Sequence, residues 1–389
     1  MGITKLAKLI DQEAPDSISL FSPREYRGRV LAIDASVAIY QFNSAIPTIQ
    51  NRYGEDLSVL QGMFYRTVYM LENGIKPVYV FEGQPPALKH RKENTAGKSN
   101  AGHKGKNDLE TMLKYLGVPY IQATGEAEAT CAALVKHGLA WGTVTEDMDA
   151  LPFGSTRLIR NLKANDGRNV KEYNLPKLLK QLNLSMEQFV ELCILLGCDY
   201  CEKIKFQGIK KALELMHKHG SIKNIVKTIK QKNHIPADFC YREAIELFLR
   251  PSVTDVSLVQ LNWKDPDEEK LIQFLSHEKH LNETKIRTKL EKLRSAQQPK
   301  AKKTPKKRAA QSSVFDPNDQ KQQKMTDFFT TKKSQSSLPG PNKQKQTKKP
   351  DFFKTKKSQK QPQGRTENKD LSGNIPSTSS SPGCSQSTR

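Results

Sequence analysis

Short apolar runs alternate with segments of helical periodicity through the first half of the chain. Residues 29–36 (RVLAIDAS) and 76–83 (KPVYVFEG) are predicted to be strands that end in turns. Residues 117–138 are predicted to form a strand followed by a helix, and residues 139–151 a further strand. Because strands that alternate with helices are typical of an α/β fold, we predict a mostly parallel central sheet flanked by helices.

Acidic residues follow these predicted strands at their carboxyl ends. One ends the first strand, one ends the second, two lie in the first turn of the next helix, and two end the last strand. Another follows a helix predicted to begin with a Ser185–Gln188 capping box and to end at Gly197. Parallel sheets bind ligands beyond the carboxyl ends of their strands, so we expect these side chains to converge. They are Asp34, Glu82, Glu126, Glu128, Asp147, Asp149 and Asp199.

Each acid alone has an ordinary interpretation, because isolated acidic pairs are usually solvated and a first-turn glutamate complements the helix dipole. Many carboxylates at one edge would repel one another unless cations held them together. Oxygen ligands without His or Cys favour Mg²⁺ or Mn²⁺. Two such ions about 4 Å apart are the usual arrangement for phosphodiester hydrolysis, so the pattern favours a nuclease.

Charge divides the chain into two parts. The whole sequence carries 63 Lys and Arg against 41 Asp and Glu, a net charge of +22, and residues 301–389 hold 20 and 6 of these. That last stretch is too polar to build a core, so we predict a disordered basic tail. A basic excess favours a nucleic-acid partner, with a membrane surface as the second choice, and the sequence has no apolar run of bilayer length. Cys198 and Cys201 have CxxC spacing, but nothing completes a zinc site.

Several long stretches resemble one family. They include "MGITKLAKLI", "AIDASVAIYQF", "EAEATCAALVKHG", "TEDMDALPFGS" and "QFVELCILLGCDYCE". Over residues 1–295 the chain resembles the flap endonucleases (the XPG/flap-endonuclease family), which are structure-specific nucleases of replication and repair. The resemblance implies a PIN-like fold, an arch over the active site and a helix-two-turn-helix DNA-binding element. It also implies two Mg²⁺ ions and cleavage of 5′ flaps, with 5′→3′ exonuclease activity.

The resemblance also assigns roles and regions. All the candidate acids match metal-site acids of the family, with Asp34, Glu126, Asp147 and Asp149 also counted as catalytic. Gly2 is expected near the active site. The other implied site residues are Lys89 on the scissile phosphate, Tyr40 stacking on a base, and Arg66, Glu126, Gly197, Asp199, Gly208, Lys210 and Lys211 on DNA. The implied regions are 1–88 (N-terminal nuclease region), 89–107 (arch loop), 108–220 (intermediate region with the helix-two-turn-helix), 221–295 (C-terminal helical part) and 296–389 (tail).

The chain departs from the family pattern in three places. Glu82 stands where the family has Asp, so we expect one metal to be held loosely and Mn²⁺ to be tolerated. Residues 90–108 replace a long pair of basic arch helices and are predicted to form a flexible loop. In the duplex-binding element, Phe206 and Ile209 replace a Gly and a Pro, which leaves a K⁺ site beside Gly208 as an open possibility.

The tail contains a short interaction motif. Residues 322–329 (QQKMTDFF) resemble the peptide that docks on the sliding clamp PCNA, with Gln322, Met325, Phe328 and Phe329 as anchors. Residues 350–359 repeat part of it, but Lys349 replaces the aliphatic anchor, so the second copy is expected to bind weakly. Residues 302–308 (KKTPKKR) are either a nuclear import signal or a phosphate-binding run. We expect a nuclear protein, and the resemblance also allows the nucleolus and the mitochondrion.

The sequence therefore predicts a monomeric, Mg²⁺-dependent nuclease that cuts branched DNA together with the sliding clamp. The main alternative is a paralogue that binds branched DNA and the clamp but cuts poorly. The substitution at position 82, the short arch and the altered hairpin favour that alternative.

Overall fold

A computed structural model describes residues 2–45, 48–90, 101–162, 170–204, 208–228, 235–236 and 239–298. Its α-helices in chain order are α1 (Leu6–Glu13), α2 (Ala35–Ala45), α3 (Ser58–Glu72), α4 (Ala87–His90), α5 (Ala101–Tyr115), α6 (Ala127–Lys136), α7 (Leu175–Leu182), α8 (Met186–Leu196), α9 (Ile209–His219), α10 (Ile222–Thr228), α11 (Tyr241–Leu249), α12 (Glu268–Ile272) and α13 (Glu283–Gln297). None of these described helices is both long and apolar enough to cross a bilayer.

A mixed sheet of seven strands lies at the centre of the described region, in the order β1-β7-β6-β5-β2-β3-β4. The strands are β1 (Ile18–Phe21), β2 (Val30–Asp34), β3 (Lys76–Phe81), β4 (Tyr120–Gln122), β5 (Gly142–Val144), β6 (Arg157–Arg160) and β7 (Val170–Asn174). The five strands from β6 to β4 are parallel to one another, while β7 and β1 are antiparallel additions. The predicted α/β fold with a mostly parallel sheet is confirmed.

Alternate residues of the central strands face two different layers of helices. Ile33 and Tyr79 point into a core shared with α3, α5 and α13, while Ala32 and Val80 pack against α6 on the other face. This alternation follows from the two-residue period of a strand. Because both faces are covered, the central strands β2 and β3 are largely apolar between their ends.

The arch segment differs from the predicted loop. Helix α4 ends at His90 and helix α5 begins at Ala101, so residues 101–108 are helical rather than looped. Met112 and Leu113 are fully buried, and Leu109 is nearly so. These apolar contacts anchor the carboxyl half of α5, and the glycines at its start do not prevent the helix. Residues 91–100 lie outside the described part of the chain.

Helix α8 begins at the predicted capping box. The Ser185 hydroxyl accepts from the Gln188 backbone N–H at 3.2 Å, and the Gln188 side chain accepts from the Ser185 N–H at 2.9 Å. The helix ends at Gly197, whose φ of 109° is unfavourable for a residue with a side chain. Helix α9 follows after Gly208, and residues 205–207 before it are not described, so the helix-two-turn-helix stays a prediction.

Candidate metal and DNA site

The topology brings the acids to one edge of the sheet. Strands β5, β2, β3 and β4 are adjacent and parallel, so their carboxyl ends point the same way. Asp34 is the last residue of β2, Glu82 directly follows β3, and Glu126 is the N-cap of α6 after β4. Asp147 begins the turn after β5. The predicted gathering of carboxylates at one edge is therefore what the fold produces.

Asp34 is held in one orientation by three donors. Its Oδ1 accepts from the backbone N–H groups of Ser36 at 2.9 Å and Val37 at 3.1 Å, and its Oδ2 accepts from the Thr145 hydroxyl at 3.0 Å. Burial raises the pKa of Asp34 to about 6, although these hydrogen bonds favour the ionised form. A bound cation would favour the ionised form of Asp34, and the three hydrogen-bond donors already fix the position of the carboxylate.

Glu82, Glu126 and Glu128 form the tightest group of acids. One carboxylate oxygen from each lies within 4.8 Å of the others. The Oε1 atoms of Glu82 and Glu126 and the Oε2 of Glu128 are buried with no hydrogen-bond partner in the described structure. Burial and then the neighbouring acids raise the pKa of Glu82 to about 7 and that of Glu128 well above its usual range.

The three buried oxygens without partners indicate which kind of ligand the acidic cluster can bind. Buried carboxylates are normally paired or bound to a metal, and leaving three unpaired together is costly. The donor set contains only oxygen, which suits hard ions such as Mg²⁺ and Mn²⁺ and does not suit zinc. The residues present therefore fit divalent cations.

A second part of the cluster lies on the turn after β5. The Asp149 N–H donates to Asp147 Oδ1 at 2.9 Å, and the Ile3 N–H donates to Asp149 Oδ1 at 2.9 Å. Burial, followed by the charges of Asp147 and Asp199, raises the pKa of Asp149 well above its usual range. Asp199 is exposed at the margin of this group.

The amino terminus reaches the same acids. Gly2 has a φ of 70°, and a Cβ there would collide with Asp147 Oδ1 and Asp149 Oδ1. Thr4 donates its backbone N–H to the Gly197 carbonyl at 3.0 Å, which joins this segment to the end of α8. Gly2 therefore lies beside two of the candidate metal-site acids.

Lys89 supplies a cation at the edge of the cluster. Its Nζ lies 2.7 Å from Glu126 Oε2, and its side chain is a quarter exposed. Burial by itself would lower the pKa of Lys89, but the charge and hydrogen bond of Glu126, with smaller contributions from Glu128 and Glu82, raise it above its ordinary value. A charged lysine here can contact a phosphate that enters the site.

Tyr40 and Arg66, two predicted DNA contacts, differ in their exposure. Tyr40 on α2 is 59% exposed, which leaves its ring available for stacking. Arg66 on α3 is only 9% exposed, and its Nη1 donates to the Gln41 side chain at 3.2 Å. Gln41 was not predicted from the sequence, because its partner lies one helix away. The role of Arg66 in binding DNA stays a prediction.

The predicted duplex-binding lysines lie at the start of α9. Lys210 Nζ lies 3.1 Å from Glu13, and Lys211 Nζ lies 3.1 Å from Glu214. Both lysines are more than half exposed, so these weak surface pairs can exchange for phosphate. Gly208 has an extended backbone that any residue can adopt, so its conformation alone does not require glycine.

Sequence reasoning missed one supporting residue of the site. Thr145 lies within 3.0–3.1 Å of both Asp34 Oδ2 and the Asp147 N–H, and it joins the ends of β2 and β5. The signal was a hydroxyl residue two positions before Asp147. The clamp-binding anchors Gln322, Met325, Phe328 and Phe329 lie outside the described residues.

The chain is similar to known proteins over most of its length. The XPG N-terminal domain matches residues 1–103, and the XPG I-region matches residues 117–199. Flap endonuclease 1 of Xiphophorus maculatus is 44% identical over 333 residues, which cover 77% of this chain and 88% of that protein. Among solved structures, the catalytic core of Rad2 in complex with DNA substrate has a TM-score of 0.65 at 26% identity and covers 75% of this chain and all of that one.

Flap endonuclease-1 from Methanococcus jannaschii has a TM-score of 0.60 at 28% identity, covering 72% of this chain and 96% of that one. The fold is therefore that of the structure-specific nucleases with a PIN-like fold. Within that class, the chain belongs to the flap endonuclease family.

Proposed function

We propose that this protein is a Mg²⁺-dependent endonuclease that cuts 5′ flaps at their junction with duplex DNA, and that it also acts as a 5′→3′ exonuclease in replication and repair. The observation that carries the proposal is the group of Glu82, Glu126 and Glu128: one carboxylate oxygen from each lies within 4.8 Å of the others, and each residue has one buried oxygen without a hydrogen-bond partner in the described structure. The Mg²⁺ ions would be held by Asp34, Glu82, Glu126, Glu128, Asp147, Asp149 and Asp199. Bound there, they would supply activation of water and stabilisation of the leaving oxygen.

The chain's own residues would position the substrate. Lys89 would exchange part of its contact with Glu126 for a contact with the scissile phosphate, because a charged amine at the edge of the acidic cluster attracts a phosphate. The exposed ring of Tyr40 would stack on a base near the cleaved bond. Lys210 and Lys211 would bind the phosphates of the duplex, with K⁺ beside Gly208 as an additional proposal.

The alternative function is recognition of branched DNA with little cleavage. Glu82, the short arch and the altered hairpin are the features in its favour. Against it, the carboxylate of Glu82 already lies with those of Glu126 and Glu128. We therefore place cleavage first.

The decisive experiment compares cleavage and binding for two variants. Asp149→Asn is expected to abolish cleavage of an end-labelled 5′-flap duplex in Mg²⁺ while binding to the same DNA changes little, because phosphate contacts dominate affinity. The matched control is Asp11→Asn on α1, whose side chain is about half exposed. Cleavage by Asp149→Asn at near the parent rate would contradict the assignment, and absent cleavage by the parent protein with intact binding would favour the alternative.

The tail belongs to the same proposal. Residues 322–329 would dock on PCNA, residues 302–308 would direct nuclear import, and the nuclease itself would act as a monomer. Fluorescence imaging of the chain with and without residues 302–308 would test nuclear localisation. Unchanged distribution would contradict the import role.

A further inference from the structure

A second charged feature lies at the amino ends of the same strands, opposite the acids. The Cζ of Arg29 lies 3.8 Å from the ring centroid of Trp141, and the Cζ of Arg157 lies 3.9 Å from it. Two guanidinium groups cannot both fit on one face at these distances, so they cover opposite faces of the indole. Trp141 immediately precedes β5, Arg29 immediately precedes β2, and Arg157 begins β6.

The feature continues to the next strand. Lys76 is the exposed first residue of β3 and its Nζ lies 5.5 Å from the ring of Trp263. Trp263 is fixed by donating its Nε1–H to the Pro77 carbonyl at 2.8 Å. In sheet order the residues are Arg157, Trp141, Arg29 and Lys76, which we call the amino-edge row.

The cations of the amino-edge row are poorly neutralised. Arg157 has one acidic neighbour, Glu172, at 3.5 Å, and Glu172 also accepts from the Tyr26 hydroxyl. Arg29 has no acidic partner among the residues that the structure describes, and its side chain is exposed. A surface cavity of about 330 Å³ opens beside the row and is lined in part by Gly28, Leu139 and Trp141. The row therefore offers anion donors with room for a ligand.

The geometry indicates which anion the row fits. Both faces of Trp141 are occupied, so its ring cannot stack on a base. Its effect is to restrict the two guanidinium groups, so that their side chains lose little conformational entropy when they bind an anion. Adjacent strands are about 4.8 Å apart, so the row extends over about 14 Å from β6 to β3. A single phosphorylated side chain would use only one pair of these cations, whereas each DNA strand presents a phosphate about every 3.4 Å along the axis.

We propose that the amino-edge row binds the sugar–phosphate backbone of a further arm of branched DNA, a statement that rests on the proposed function for its choice of ligand. Strand β2 has five residues, so the row lies about 16 Å from the acidic edge, less than the width of a DNA duplex. A branched substrate has more than one arm, and an arm leaving the acidic edge can reach the amino edge. The row would orient the substrate without contacting the cleaved bond.

The test is the salt dependence of DNA binding by the full chain without divalent ions. A double variant, Arg29→Gln with Arg157→Gln, is expected to bind a three-arm flap DNA about 5- to 10-fold more weakly and to reduce the salt slope by about 2, one unit for each lost phosphate contact. The control double variant is Lys285→Gln with Arg287→Gln on α13, which makes the same charge change. The pair Arg29→Lys with Arg157→Lys is expected to keep most of the slope.

The outcomes separate this inference from the proposed function. An unchanged slope in the double Gln variant overturns the inference even if the protein cuts flaps. A reduced slope supports it even if no cleavage is seen. Loss of binding to a phosphoserine peptide with unchanged DNA binding also overturns it, since the ligand is then a phosphoprotein. Should the double variant fail to fold, Arg29→Gln alone is expected to reduce the slope by about 1.

Discussion

Gly2 shows how one backbone position can govern the acidic site. Its positive φ and its contact with Asp147 and Asp149 leave no room for a side chain. The same segment donates the Ile3 N–H to Asp149, so a shift of Gly2 moves a candidate metal ligand. Gly2 thus helps to determine the positions of the acids although it has no side chain that could bind metal or substrate.

Gly2→Ala is expected to lower single-turnover flap cleavage by about 100-fold, because errors of about 1 Å in position can cost that much. Gly54→Ala is the matched control, since Gly54 has a similar φ of 77° but open space around its Cβ. Both substitutions place a side chain at a positive φ and so have a similar backbone strain energy. Equal cleavage rates for the two variants would therefore show that the contact of Gly2 with the acids is unimportant.

For Glu82, the sequence and the structure lead to different interpretations of its role in metal binding. A glutamate in place of aspartate suggests a loosened metal site, yet its Oε2 accepts from the Ala127 N–H at 3.4 Å and one of its carboxylate oxygens lies within 4.8 Å of oxygens of Glu126 and Glu128. The longer side chain reaches the cluster across the start of α6. The geometry therefore favours Glu82 as a full ligand.

Glu82→Asp is expected to raise the Mg²⁺ concentration at half-maximal binding by about tenfold, because shortening the side chain by about 1.5 Å withdraws one oxygen. Calorimetric titration of Mg²⁺ into the DNA-free protein measures this directly, with Glu269→Asp on α12 as an exposed control. Tighter binding by Glu82→Asp would restore the interpretation of Glu82 as a defect.

At the scale of elements, the arch segment is linked to the acidic cluster by side-chain contacts. Helix α5 begins at Ala101 and its Lys106 contacts Gln122, whose side chain donates to the Glu82 carbonyl at 2.5 Å. The base of the arch is thereby tied to the metal site. Only residues 91–100 connect α4 to α5, so little chain is available for a closed gateway.

We predict that a bulky group on the 5′ end of the flap slows cleavage by less than about tenfold, because a short segment closes poorly over a threaded strand. The measurement is single-turnover cleavage of flaps with free and streptavidin-blocked ends. A flap blocked after it has been bound provides the control. Near-complete inhibition by a block added beforehand would show that threading is obligatory here.

The sequence predicted elements with strong local signals and missed those that depend on distant partners. The capping box of α8 and the strand-end acids were found because spacing alone reveals them. Strands β1, β6 and β7 were not predicted, since each becomes a strand by pairing antiparallel with a segment that is not marked by a local signal. The pair between Lys210 and Glu13 joins residues far apart in the chain, which no periodicity reveals.

At the scale of the whole molecule, the tail is expected to add a partner to the nuclease. A peptide of residues 318–333 should bind PCNA more than tenfold more tightly than one of residues 342–357, because Met325 fills an aliphatic position that Lys349 cannot. Calorimetry with the two peptides measures the difference. A first peptide with Phe328→Ala and Phe329→Ala is the control, and comparable affinities for the two native peptides would refute the ranking.

The clustered acids also make the stability of the metal-free protein depend on pH. The pKa of Asp34 rises from 3.8 to about 6 and that of Glu82 from 4.5 to about 7, each chiefly through burial. The folded state therefore binds more protons than the unfolded state between about pH 4 and 7. Its stability is expected to fall as pH rises through that window, by on the order of 1–3 kcal/mol.

Mg²⁺ should reverse this trend, because ions bind the ionised carboxylates of the folded state and release their protons. The measurement is denaturant unfolding at pH 5 and pH 7.5, in chelator and in saturating Mg²⁺. Glu82→Gln removes one titrating group and should flatten the metal-free dependence, whereas Glu269→Gln should leave it unchanged. Metal-free stability that rises between these pH values in the parent protein and equally in Glu82→Gln would show that the acids are not held together as the fold places them.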